Sequence, residues 1–324
     1  MERNDQSSTA ARHDDVDPEV RAFLQRMNAG YAAFPGLAQA ALPEARRIAE
    51  AVRAQWVQGG PAMATATELR VGATQTRIRI MRPQHGDANL PALVYLHGGG
   101  WTMFSIDTHD RLMREYAGRA GVAVVAVDYS LSPEAKFPRA LEETTDVIQW
   151  LRAHGAEHGI DAARLAVGGD SAGANLSVAS QLRLRESGQP VVSAMLLNYG
   201  AYSDRPTPSC TRYDGPDYML EVEEMHRFWL NYLRDERDRG DPLAMPLHAD
   251  LHGLPPAFLA VAECDILADG NQAMAQALRD AGCDVQAHTY AGATHSFLEA
   301  MSISTLANRA LDDASAWLKE RLRA

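Results

Sequence analysis

Cysteine is scarce. Three in 324 residues, an odd number, do not make a disulfide framework. Cys210, Cys264 and Cys283 read as reduced thiols of a reducing compartment, and nothing demands a Cys264–Cys283 pair. Long apolar runs are absent too. The longest, 122–127 and 191–197, have strand length, well short of the ~20 residues a membrane helix needs. The opening MERNDQSSTAARHDDVD lacks the apolar centre of a secretory signal. Residues 1–16 therefore read as a disordered leader, and the expected location is cytoplasmic. Basic clusters are missing as well, with only short pairs such as Arg46-Arg47. Lys plus Arg number 31 against 42 Asp plus Glu, a formal charge of −11. A surface this acidic repels phosphate backbones and anionic bilayers, so neither nucleic acid nor a membrane is an expected partner.

What remains is an ordinary globular mixture, 46% apolar and 23% charged. The length is near the limit for one core, which suggests one large domain with an appendage. Asp17-Pro18-Glu19 supplies a cap, a first-turn proline and a first-turn acid, and Val20, Phe23, Leu24, Met27 and Tyr31 follow at helical spacing. A second helix is expected over 42–56, opened by Pro43-Glu44. Period-two runs at 68–71 and 76–81 flank Gly72-Ala73 and predict a hairpin. Strands then alternate with helices. Strands are expected at 92–96, 122–127, 165–167, 191–197, 257–262 and 285–290. The intervening helices fall at 107–120, 138–154, 172–186, 270–281 and 304–322. This rhythm predicts an α/β fold, a mostly parallel sheet of about eight strands covered by helices on both faces. The short all-apolar strands agree, being buried on both sides. The rhythm breaks over 201–250, a polar, aromatic, proline-rich insertion with one helix near 221–233.

Gly169-Asp170-Ser171-Ala172-Gly173 fits G-x-S-x-G between an expected strand and helix, the setting a nucleophile elbow requires. His97-Gly98-Gly99-Gly100 follows another strand. Glycines there let backbone N–H groups turn toward an oxyanion, and such donors stabilise a tetrahedral intermediate. Gly99 and Gly100 are the expected oxyanion donors, with Ala172 as the third. Gly98 would serve the turn and His97 would shape the loop. A phosphate-binding loop would end in Lys-Ser/Thr, which is absent. Asp265 follows the 257–262 strand and His295 the 285–290 strand, giving the chain order Ser…Asp…His. Parallel strands end on one edge, so the three groups can converge. Glu263, still on its strand, and Asp269, placed to cap the next helix, are rival acids. His288 lies within a strand. The chemistry expected of Ser171, Asp265 and His295 is two-step acyl transfer.

From about residue 93 onward the chain resembles the bacterial hormone-sensitive-lipase-like branch of the α/β-hydrolases. The resemblance rests on HGGGW at 97–101, DYSLSPE at 128–134, Phe137-Pro138, GDSAG at 169–173, Asp265-Ile266-Leu267 and His295-Ser296-Phe297. Ser130, Ser132, Ile266 and Ser296 stand where that family usually has Arg, Ala, Pro and Gly. The resemblance implies a serine carboxylesterase for short-chain esters with no cofactor and no metal, cis peptides before Pro133 and Pro138, and frequent homodimers. It also implies a helical cap, expected from 17–60 and 201–250, over a catalytic domain formed by 61–200 and 251–324. Tyr199, Met219 and Phe228 are the expected pocket residues. With a charge of −11, uncharged small-molecule esters are favoured over anionic ones. An amidase or formamidase using the same triad, and a non-catalytic ligand-binding protein, are the alternatives.

Overall fold

A computed structural model of the chain describes residues 15–323. Its centre is an eight-stranded sheet in the order β1-β2-β4-β3-β5-β6-β7-β8. The strands are β1 (Met63–Val71), β2 (Thr76–Pro83), β3 (Leu90–Leu96), β4 (Ala123–Asp128), β5 (Ile160–Asp170), β6 (Ala194–Asn198), β7 (Ala257–Cys264) and β8 (Val285–Thr294). The β1–β2 hairpin joins the sheet antiparallel through β2 and β4, and every later pairing is parallel. The expected strand 165–167 is the buried end of a longer one. β6 starts later than its apolar run, because 191–193 lead into the sheet without pairing.

Each parallel connection carries a helix. α3 (Asp110–Ala120), α4 (Arg139–His154), α5 (Ala172–Glu186) and α8 (Ala268–Asp280) cover the sheet from four of these connections, and α9 (Thr305–Arg321) follows β8. α3 packs on α9 against one face, while α4 lies along α5 on the other. α5 is buried around nearly its whole circumference, as expected of a helix without a polar face.

Two segments stand outside this frame, at the edge where the parallel strands end. The first holds α1 (Pro18–Ala32), capped by the Asp17 carboxylate on the Glu19 and Val20 N–H groups, and α2 (Leu42–Arg53). The second holds α6 (Pro208–Arg212) and α7 (Val222–Tyr232). Asn28 of α1 donates to the Pro216 carbonyl, which links the two. α2 is tied to the frame by Arg46, whose guanidinium reaches the Thr102 and Ser132 carbonyls and the Glu134 carboxylate. The Lys136 ammonium caps the C-terminus of α7 at the Leu230 and Leu233 carbonyls. Trp101 stacks on Tyr232 with ring centroids 4.2 Å apart. Of the leader expected at 1–16, residues 1–14 lie outside the described residues. Asp15 and Val16 correct that boundary. Val16 is buried, and the Asp15 carbonyl accepts from the Cys264 thiol, so the packed chain includes both. Among the described residues no helix is long and apolar enough to cross a membrane.

Candidate active site

The parallel strands set the site by ending in register. Leu96 of β3 pairs beside Gly169 of β5, and Asp170 beside Asn198 of β6. Ser171 leaves β5 at φ 53°, ψ −116°, and α5 begins at the next residue. Few side chains occupy that backbone region. The turn fits only because its flanks are bare. A Cβ at Gly169 or Gly173 would collide with the Leu96 carbonyl oxygen, so the glycines allow α5 and β3 to approach. Asp265 and His295 leave the ends of β7 and β8.

The three side chains meet. His295 Nε2 lies 3.0 Å from Ser171 Oγ, and His295 Nδ1 lies 2.7 Å from Asp265 Oδ2. All three residues are buried. Asp265 Oδ1 also accepts the Leu267 N–H at 2.9 Å. Burial opposes protonation of His295, but the adjacent Asp265 charge and hydrogen bond outweigh it and hold the imidazole above its ordinary value. The rival acids are engaged elsewhere. Glu263 accepts the Gly292 N–H, and Asp269 accepts the Ser209 N–H. His288 pairs with Asp313 of α9.

The glycine loop is held from behind by Asp170. Its buried carboxylate accepts from the Tyr95 hydroxyl (2.9 Å) and the Gly98 N–H (3.1 Å), and His109 Nε2 lies 3.3 Å away. Burial pushes this carboxyl up, yet the His109 charge and these hydrogen bonds leave it below the usual range. His97 is neutral, pushed down to about 3 chiefly by burial, and its ring stacks 4.3 Å from Tyr129. With the Gly98 N–H engaged, those of Gly99 and Gly100 donate to no other group among the described residues. Gly99 and Gly100 line the same cavity as Ser171 and His295. The N–H of Ala172, first in α5, has no intrahelical acceptor.

That cavity has a volume of about 560 Å³. Met219 and Phe228 line it, and Phe228 lies directly against Gly100, where a Cβ would strike its ring. Tyr199 does not line it, which corrects the expectation for that residue. It follows β6 with φ 36°, is fully buried, and sets its ring edge-on against His295 at 5.1 Å, supporting the imidazole from behind. Backbone strain concentrates here. Among the described residues seven non-glycines have positive φ, and all but Gln75 (Trp101, Phe104, Ser171, Tyr199, Met219 and Ser296) lie in or beside the site. Ser296 adopts the left-handed conformation at the position where the resembled family carries glycine.

The sequence reading missed two polar groups. Arg53 of α2 is buried, pairs with Glu299 at 3.1 Å, donates to the Tyr31 hydroxyl at 2.6 Å and lies 3.7 Å over the Phe104 ring. Glu224 of α7 also faces the cavity. Burial pushes its carboxyl up, and His295, Arg53 and Arg227 are near enough for their charges to oppose that. A charged residue on a helix outside the sheet carries no local signal that it points inward. Among the described residues no three His, Cys, Asp or Glu side chains cluster where they could hold a metal ion.

Residues 93–299 match the family described as the alpha/beta hydrolase fold. The chain belongs to this family. The acetyl esterase of Salmonella agona is 33% identical over 314 residues, 95% of each chain. Among solved structures, a hyperthermophilic esterase from the archaeon Pyrobaculum calidifontis superposes with a TM-score of 0.87 at 32% identity. That match covers 95% of this chain and 99% of the other. An ester hydrolase from the Lake Arreo metagenome, solved with a bipyridine phosphonate derivative, gives a TM-score of 0.88 at 31% identity, covering 94% and 98%. Within the α/β-hydrolases, these relatives and the site's order along the chain put the protein in the hormone-sensitive-lipase-like esterase branch. The cis peptides Ser132-Pro133 and Phe137-Pro138 are present as the resemblance implied.

Proposed function

We propose that Ser171 is the nucleophile of this serine carboxylesterase, His295 its general base and acid, and Asp265 the carboxylate that fixes the imidazole. His295 takes the Ser171 proton as Oγ attacks the ester carbonyl. The N–H groups of Gly99, Gly100 and Ala172 receive the negative charge that develops on the carbonyl oxygen, each contributing a few kcal/mol. His295 then protonates the leaving alcohol, and the acyl-enzyme forms. A water deprotonated by His295 attacks that acyl group, and Ser171 is regenerated. Asp265 stabilises the imidazolium at both stages without itself taking a proton. The observation that carries this reading is the Asp265–His295–Ser171 chain, at 2.7 and 3.0 Å, ending in a cavity that the two uncommitted glycine N–H groups line.

For substrate we assign short-chain, uncharged carboxylic esters. The acetyl esterases among the relatives favour a small acyl group. Phe228 narrows the space beside Gly100, Met219 lines the same cavity, and the −11 charge disfavours anionic esters. The three free thiols favour the cytoplasm. Labelling with a serine-directed organophosphate, followed by mass mapping, tests the nucleophile. Label on Ser171 and loss of activity in Ser171→Ala are expected, and label elsewhere or full activity in that variant would overturn it. A p-nitrophenyl ester series from acetate to laurate tests the chain-length claim, and a maximum at the long end would refute it.

A further inference from the structure

The residues of α7 that face the catalytic cavity are Glu224, Arg227, Phe228 and Asn231, spaced as one stripe of a helix. Phe228 fixes the position of that stripe, because its ring touches the oxyanion glycine Gly100. Glu224 lies four residues before Phe228, about one turn back and about 6 Å along the helix axis. It is therefore a short distance from where an ester carbonyl must sit, on the side that holds one of the ester's substituents.

Glu224 differs from the buried carboxylates around the site, and from Glu221, which lines the same cavity but is exposed to solvent. Asp170 has three partners, Asp265 has His295 and the Leu267 N–H, and Glu299 has Arg53. Glu143 has Ser130 and Arg139. Glu224 is only partly exposed, yet it makes no hydrogen bond or ion pair among the described residues. A carboxylate withdrawn from water without a partner is costly to a fold. At the wall of a substrate cavity it is an acceptor held ready for a donor that arrives with the ligand.

We propose that Glu224 selects esters carrying a free hydroxyl group near the ester carbonyl. This rests on the esterase reading and narrows its substrate class. A cationic group is the poorer fit, because Arg53 and Arg227 line the same cavity and their charges already lie near Glu224. An anionic group would meet Glu224 itself. A neutral hydroxyl can donate to Glu224 without meeting either repulsion. It could belong to the acyl part, as in a hydroxy acid ester, or to the alcohol part, as in a partial ester of a polyol.

Two matched pairs of substrates distinguish these sources, each exchanging one methyl for one hydroxyl. Methyl isovalerate against methyl beta-hydroxybutyrate probes the acyl side, and propyl acetate against glycol monoacetate probes the alcohol side. Hydrolysis is followed by pH-stat titration. The quantity read is the ratio of kcat/KM for the hydroxylated member to that for its methyl partner. The wild type should prefer the hydroxylated member of one pair, and that pair identifies the side. In Glu224→Leu the ratio for that pair should fall about ten- to hundredfold, the usual worth of a hydrogen bond to a charged group. In Glu224→Gln, which keeps a neutral acceptor, it should fall severalfold. If the leucine variant does not fold, the glutamine variant alone decides. Wild-type ratios near one in both pairs, or ratios unchanged in the variants, would overturn the proposal while leaving the esterase reading intact. Failure to hydrolyse any of the four esters or p-nitrophenyl acetate would instead overturn that underlying reading.

Discussion

The Arg53–Glu299 ion pair joins a helix outside the sheet to the turn that follows His295, so its removal should be felt in both stability and catalysis. Its side chains are 4% and 6% exposed and 3.1 Å apart, and the remaining donors of Arg53 go to the Tyr31 hydroxyl and over the Phe104 ring. In Arg53→Met the Glu299 carboxylate is stranded in the interior. Breaking a buried pair from one side costs about 3–5 kcal/mol. An unfolding entropy of about 2.1 cal/mol/K per residue gives about 0.7 kcal/mol/K for a chain of this length, so a 4 kcal/mol loss lowers Tm by about 6 °C. Glu299→Leu strands the guanidinium and should cost a similar amount. The double variant Arg53→Met with Glu299→Leu fills the same space with apolar groups and leaves no charge unpaired. It should recover most of the loss, because such replacements are often neutral or stabilising. Calorimetry on the four proteins completes the cycle. A Tm drop under about 2 °C in Arg53→Met would refute the argument. So would single losses that simply add in the double variant, since the two charges would then not be coupled.

Other consequences follow from the site. Replacing Asp265 with Asn should lower kcat by about 10⁴, because the imidazole loses the partner that fixes its tautomer; steady-state kinetics on p-nitrophenyl acetate reads this. The wild-type kcat/KM needs neutral His295, so activity should fall as pH drops through an inflection above the ordinary histidine value of about 6.5. In Asp265→Asn the main opposition to the burial of His295 is removed, leaving only the more distant Asp170 and Glu224 charges, and that acid limb should move to lower pH. Gly100→Ala adds a Cβ at φ 57° against the Phe228 ring, displacing an oxyanion donor, and should cost about 10²–10³ in kcat; adding Phe228→Ala should recover part of it. Gly173→Ala meets backbone at Leu96, which cannot give way, and should show as lost soluble folded protein by circular dichroism.

The frame and the residues that the structure gathers at the proposed site were legible in the sequence because both obey local rules. Apolar runs of strand length alternating with helical spacing identify a parallel sheet, and a parallel sheet delivers its strand ends to one edge. Ser171, Asp265, His295, Gly99 and Gly100 each stand just past such an end. Strand lengths were less legible. The polar start of β5 and the far end of β8 pair through backbone groups, which side-chain pattern does not report. The support behind the loop was partly visible. Asp170 lies inside the motif, but its partners Tyr95 and His109 are 75 and 61 residues away. Nothing in a one-dimensional pattern joins them.

The misreading of Tyr199 and the silence of Glu224 have the same origin, and it separates chemistry from specificity in this fold. Tyr199 follows β6, on the edge where the reacting groups gather, so its address suggests a pocket wall. A backbone at φ 36° turns it back under His295 instead. Glu224 lies on an amphipathic helix, where an acidic residue ordinarily marks the solvent face. α7 has two covered faces. Met225, Trp229 and Tyr232 are buried on one, and Glu224, Phe228 and Asn231 border the cavity on the other. What points a polar residue inward is the docking of the whole helix, set by Lys136 at its C-terminus and by Trp101 against Tyr232. Both anchors come from loops far away in sequence. The catalytic groups inherit their positions from the sheet, while the groups that choose a substrate inherit theirs from the way separate segments dock on it.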